Sequence, residues 1–234
     1  MNGTGIFHKT WRGHNREFVL DESLEKCEYL SRLAAAINDE TRQKVKWHSF
    51  CLMGNHTHEA GSVVFDENEG NFISGIKELG NWMRRGHASF GAGYNARHNR
   101  QGKVAYDRPA TREVQDDTHL LKVMFYGDAN PVRAGMVSHP SKYPFSTWHF
   151  YAYGKKSQHT KHLTAPKAYL ALGKTPKARQ KKYRSLCDAY LRAAGLINDQ
   201  GTSEMESPFI GSTAWCKSRR QQIKEDCAAI REGP

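Results

Sequence analysis

No stretch of this chain approaches the roughly 20 apolar residues that a membrane-spanning helix needs. Met1-Asn2-Gly3-Thr4-Gly5 opens without the apolar segment of a secretory leader. The five cysteines, at 27, 51, 187, 216 and 227, form no C-x-x-C pair, and an odd number without a framework fits a reducing compartment. No internal repeat and no low-complexity tract is present, which argues against solenoids and disordered chains. Acidic side chains are scarce: 24 Asp and Glu stand against 35 Lys and Arg, a net charge of +11 with a pI near 9.5. These deficits predict a soluble, cytoplasmic protein with no membrane partner. The positive excess points to an anionic partner, and nucleoid association follows if that partner is a nucleic acid.

What is present is enough for a core, since 38% of the 234 residues are hydrophobic. Ile6 to Gly13 is β-prone and reads as a first strand. From Asp21 to Ile37, Leu24, Cys27, Leu30, Leu33 and Ile37 recur at helical spacing, with Asp21 as the expected cap. Val45 to Met53 and His56 to Val64 read as strands joined at Gly54-Asn55. A second helix is predicted over Phe72 to Phe90, then a loop from Gly91 to Gly102 and short strands near 103–106 and 112–115. A third helix, from Asp116 to about Asn130, should end or kink at Pro131, whose ring crowds the carbonyl of Gly127. The order is α+β. After Tyr153 the character changes: Lys155 to Arg192 holds eleven Lys or Arg and one acid, Asp188. Helices are predicted over Pro176 to Ala194 and Trp215 to Ile230, with a flexible link at Gly201 to Ser207. The expected division is 1–153 as a catalytic domain and 154–234 as a basic, mostly helical extension.

Two short constellations carry chemistry. His56 and His58 flank Thr57, and on a strand such a pair shares one face. Twelve histidines in the chain make about 0.6 such pairs by chance, so this pair alone is weak. Tyr126 and Asn130 lie four residues apart and share a helix face. On that predicted helix Leu120, Leu121, Met124 and Phe125 cluster on one side, while His119, Lys122, Tyr126 and Asn130 line the other. Brought together, two imidazoles, an amide oxygen and a phenol make a divalent-metal site beside a nucleophile. A mixed N/O set with open positions suits Mg²⁺ or Mn²⁺ better than zinc.

Four blocks resemble the small single-tyrosine HUH transposases, and within them the REP-associated tyrosine transposases. Phe50-Cys51-Leu52-Met53-Gly54-Asn55-His56-Thr57-His58 resembles their hydrophobic strand followed by M-P-N-H-x-H. Tyr126 to Val137 resembles Y-I-x-x-N-P-V-R-A-G-L-V, the most specific of the four. Trp11-Arg12-Gly13-His14-Asn15-Arg16 is similar to R-G-x-N-R, and Tyr143-Pro144-Phe145-Ser146-Thr147 to Y-P-W-S-S. The blocks occur in the family's order and span residues 6 to 153. Three positions depart from the pattern: Thr57 stands for an apolar residue, Gly54 for proline and Gly127 for isoleucine. None removes a ligand or the nucleophile.

The resemblance implies a ferredoxin-like antiparallel sheet with helices on one face. It implies His56, His58 and Asn130 as ligands of Mg²⁺ or Mn²⁺ and Tyr126 as nucleophile. The implied activity is metal-dependent cleavage and rejoining of single-stranded DNA beside a hairpin, through a 5′-phosphotyrosine intermediate. The partner would be single-stranded or hairpin DNA, a REP-like palindrome, met by a monomer or weak homodimer. Arg12, Asn15 and Arg16 match the motif expected beside the hairpin. Arg84 and Arg85 next to Trp82, and Arg97 and Arg100 near Tyr94, are further candidates for DNA contact. The competing reading is a DNA-hairpin-binding protein derived from such a transposase with weak catalysis. A phosphodiesterase with paired H-x-[ST] motifs fits less well, because His159-Thr160-Lys161-His162 has the wrong spacing.

Overall fold

Alternation along the first strand sets the architecture. In β1 (Asn2–Arg12), Phe7, Lys9 and Trp11 point to one side and Ile6 and His8 to the other, and both sets are covered. The structure is a computed structural model that describes residues 2–66, 72–196 and 209–231. After β1 come α1 (Ser23–Ala35), α2 (Asp39–Lys44), β2 (Val45–Leu52), β3 (His56–Asp66), α3 (Phe72–Arg97) and β4 (Ala110–Val114). The strands lie in the order β2-β3-β1-β4 and are antiparallel, which is the predicted ferredoxin-like arrangement. A fifth strand, β5 (Phe209–Ile210), adds to β4 in parallel and makes the sheet mixed.

α1 and α3 pack on one face, where Tyr29, Leu30, Leu33, Trp82 and Phe90 cover Phe7, Trp11 and Val63. The expectation of helices on one face therefore holds for these two crossover helices and fails for the whole molecule. The second face, with Ala60, Val114 and Ile6, is covered by α4 (Asp117–Arg133) and α5 (Trp148–Tyr153). Above them lie α6 (Lys167–Leu170) and α7 (Pro176–Leu196); α8 (Thr213–Arg231) follows β5. Both faces of β1 and β3 carry apolar side chains, so one layer of helices would leave half of them in water. Tyr169, Tyr183, Cys187 and Ile210 lie in the same core as Phe125 and Tyr151. The change at residue 153 is thus one of charge more than of packing.

Several boundaries differ from those that the sequence predicts. α3 runs seven residues beyond Phe90, to Arg97, through Gly91 and Gly93. Tyr94 explains this: its ring packs 5.9 Å from Phe90, and tertiary burial outweighs the glycine cost of about 1 kcal/mol each. α4 passes through Pro131 to Arg133. There Asn130 donates its amide to the Tyr126 carbonyl at 3.1 Å, a side-chain bond within the turn that Pro131 disturbs. α1 is entered from Glu22 without a side-chain cap, so Asp21 does not serve as one. The predicted strand near 103–106 reduces to one bridge between Ala105 and Gly13. The predicted link at 201–207 lies outside the described residues. Among the described residues no helix is long and apolar enough to cross a membrane.

Candidate active site

The hairpin between β2 and β3 delivers the histidine pair. Met53 N–H donates to the His56 carbonyl at 2.8 Å, closing a tight turn around Gly54 and Asn55. A Cβ at residue 54 would stand 2.8 Å from the Phe18 ring and 3.0 Å from the Asp21 carboxylate, so a larger residue there would require those two side chains to shift. The register of β3 then sets His56 and His58 on the second face and Thr57 and Glu59 on the first. The two imidazoles stand 5.0 Å apart, centroid to centroid, and nearly perpendicular. Each is tied at its inner nitrogen. His56 Nδ1 lies 2.7 Å from Asn55 Oδ1, an acceptor, so Nδ1 carries the proton and Nε2 keeps its lone pair. His58 Nδ1 lies 3.0 Å from Nε2 of His8, whose ring stacks on it at 5.2 Å.

Burial keeps these rings neutral. It pushes His56 down to about 4, with Arg12 adding to the effect. It takes His58 well below its ordinary value, aided by the neighbouring histidines and by Arg112 and Arg12. His8 is held at about 3 by burial, Arg112 and Lys9. Neutral imidazoles are the form that binds a metal.

α4 brings the other half. Asp116 accepts from His119 N–H at 2.9 Å and caps the helix. Leu120, Val123 and Met124 are buried toward the sheet, which rotates Tyr126 onto His58: their rings stand 5.3 Å apart at 85°. Two features hold α4 in this rotation. Asp128 is fully buried, is pushed up to about 7 by desolvation, and accepts from Tyr183 of α7 at 2.7 Å. The Arg133 guanidinium lies 4.8 Å from the centre of the Tyr126 ring and donates to Tyr190 of α7 at 3.0 Å.

The basic candidates divide. Arg12, Asn15 and Arg16 are exposed at the open end of β1. Asn15 and Arg16 have φ of 50° and 60°, a strained left-handed pair that shapes the turn. That turn is pinned to the histidine hairpin by Gly13 N–H donating to Asn55 O at 2.9 Å. Arg84 is exposed. Arg85 binds Glu78 at 3.3 Å and the Ala36 carbonyl. Arg97 binds Glu25 at 2.6 Å, and Arg100 binds Glu17 at 3.0 Å. These three guanidinium groups are committed to intramolecular pairs, whereas Arg12, Arg16 and Arg84 form no ion pair among the described residues. Trp82 is core, donating to the Leu33 carbonyl at 2.8 Å.

This chain is similar to a solved REP-associated tyrosine transposase. That protein is bound to a REP hairpin; the identity is 16% and the TM-score 0.45, over 67% of this chain and 84% of the other. No family model and no curated protein matches the chain.

Among the described residues no group of three or more His, Cys, Asp or Glu converges on one point. A closed cage of those types is therefore not what this site offers. It offers two neutral imidazoles, each tied at Nδ1; Asn130, on the facing helix, donates one amide hydrogen to Tyr126 O. Two imidazoles joined by an amide oxygen would be an open N/O set of the kind that suits a hexacoordinate divalent ion keeping water. No sequence pattern singles out His8, because only the pairing of β1 with β3 sets it against His58, fifty residues away.

Proposed function

We propose that the protein cleaves and rejoins single-stranded DNA next to a hairpin, through a 5′-phosphotyrosine on Tyr126. The observation that supports this most directly is the set of His56, His58 and Tyr126, contributed by a strand and a helix about seventy residues apart, with successive rings edge to face and their centres within 5.3 Å. Tyr126 Oη attacks the scissile phosphorus, the bond from phosphorus to the 3′ oxygen breaks, and the phenol gives up its proton as the 3′ oxygen gains one. A free 3′-OH results, and it, or another 3′-OH, reverses the reaction without loss of bond energy. A phenol with an ordinary value of about 10 is a weak nucleophile at neutral pH, so alignment and charge compensation must supply the rate. His56, His58 and Asn130 would hold a Mg²⁺ or Mn²⁺, which when bound offsets phosphate charge. Placing Tyr126 and Asn130 one turn apart ties nucleophile position to ligand position. Arg133, over the Tyr126 ring, adds a fixed positive charge beside the phenol. Arg12 and Arg16, on the turn tied to the histidine hairpin, suit the phosphates that flank the cut.

The deciding experiment incubates the protein with a labelled single-stranded hairpin oligonucleotide and Mn²⁺ and looks for a covalent adduct. The adduct should map to Tyr126 and vanish in Tyr126→Phe, which removes one oxygen. His56→Ala and His58→Ala should abolish it while leaving hairpin affinity within about threefold. Tight binding by the wild-type chain without any adduct would replace this reading with that of a hairpin-binding protein. An adduct on Tyr94 or Tyr106 would displace the nucleophile.

A further inference from the structure

On the opposite face of the same sheet end lies a groove of about 930 Å³ between α3 and residues 102–111, within the roughly 300–1,000 Å³ of ligand sites. Its walls are apolar: Trp11, Met83 and Val104 are nearly or fully buried there. Polar atoms without partners interrupt them. Trp11 Nε1–H and Asn95 Oδ1 are buried and have no hydrogen bond among the described residues. Native interiors rarely leave such groups unpaired without a reason. His87, also in the lining, has its Nε2 3.0 Å from the Tyr29 oxygen and 3.3 Å from Lys9 Nζ. The rim is basic. Lys77, Arg84, Lys103 and Arg108 are exposed and form no ion pair among the described residues. Asp107 is the one carboxylate in the lining, and its Oδ1 accepts from Arg108 N–H at 2.7 Å.

An apolar groove with an unpaired donor and an unpaired acceptor in its walls and cations at its mouth matches an unstacked nucleobase with flanking phosphates. Its place agrees. Trp11 faces the groove and the next residue, Arg12, faces His56, while Gly13 bridges to Ala105 of the groove wall. A strand leaving the proposed active site past Arg12 reaches the groove mouth directly. We propose that this groove receives one unstacked base of the single-stranded DNA, an inference that rests on the reading of the chain as a DNA-processing protein.

The test uses the full chain in EDTA, where no cleavage intervenes, and a single-stranded oligonucleotide of about twelve nucleotides carrying 4-thiothymidine. Irradiation should cross-link the thiobase to a peptide within residues 77–111. Ala92→Trp and Ala88→Phe, two exposed groove positions on α3, should each remove that cross-link and weaken binding at least about fivefold, with unchanged melting temperature. Cross-links confined to other peptides, or affinities within twofold of wild type in both variants, would overturn the proposal. The adduct assay in Mn²⁺ separates the two readings. A groove cross-link without any Tyr126 adduct leaves the groove standing and removes the catalytic reading; an adduct without the cross-link does the reverse.

Discussion

β1 and β3 show two different faces one residue apart. Toward α1 and α3 they send Lys9, Thr57 and Glu59 into a closed network: Lys9 pairs with Glu59, Tyr29 donates to Glu59 at 2.8 Å, and Thr57 donates to Glu59 at 3.0 Å. Toward α4 they send His56 and His58, whose Nδ1 atoms are tied to Asn55 and to His8 Nε2 and whose Nε2 atoms are not tied. On the first face Lys9, Thr57 and Glu59 are held by one another and by Tyr29. The second keeps lone pairs in hand, which is what a ligand set requires. Thr57 now has a reason: its hydroxyl faces a polar network, where an apolar residue would leave a Glu59 oxygen short of a donor.

Breaking the closed face should have the largest effect on folding. Glu59→Gln leaves the Lys9 ammonium buried without its counter-charge, at a cost of about 3–5 kcal/mol. Urea denaturation should show a fall of that size; a loss below about 1 kcal/mol would mean that the pair contributes little to the frame. Acid should come next. His8 at about 3 and His56 at about 4 lie below the ordinary 6.5, so on acidification the unfolded chain takes up protons that the folded chain refuses. Stability is lost as pH falls from about 6.5 toward 4, and each pH unit that separates the folded from the unfolded value of a group is worth about 1.4 kcal/mol. Asp128 opposes this: held at about 7 against an unfolded 3.8, it favours the folded chain increasingly as pH falls through that window. Asp128→Asn should therefore steepen the acid loss, read as urea midpoints near pH 7.5 and 4.5; an unchanged difference would remove Asp128 from the account.

A milder substitution should touch only the open face. His8→Phe keeps a ring against His58 and removes the hydrogen-bond partner of its Nδ1. Calorimetry should show Mn²⁺ affinity weakened about 10- to 100-fold, with urea stability close to wild type. Equal affinity would make His8 a packing residue. The smallest effect concerns α7, whose Lys181 and Lys182 are exposed. Replacing both with glutamine should reduce the slope of log affinity against log salt on single-stranded DNA by about 1.4, roughly 0.7 for each phosphate that is no longer neutralised. An unaltered slope would place these lysines on a solvated face.

Local periodicity makes part of this legible. Alternation puts His56 and His58 together, the i, i+4 spacing puts Tyr126 with Asn130, and the order of elements sets the strand sequence, because each depends on backbone geometry over a few residues. α2 escapes such a reading, being only six residues long, with no apolar stripe. The full extent of α3 escapes it too, because glycines at 91 and 93 read as breakers while the packing of Tyr94 on Phe90 is invisible in the sequence.

What the chain determined by itself was the chemistry available: an imidazole pair on one strand face, a phenol and an amide on one helix face, and a positive excess suited to phosphate. What tertiary structure decided was which of these groups remain free. Register alone set His8 against His58. Packing of α7 placed Tyr183 on Asp128 and Tyr190 on Arg133, fixing how Tyr126 is presented. Ion pairs with Glu25 and Glu17 took Arg97 and Arg100 from the candidates for DNA. Each of those pairings joins residues at least 55 positions apart. No local pattern carries information over that distance, because the partner is chosen by which surfaces exclude water together.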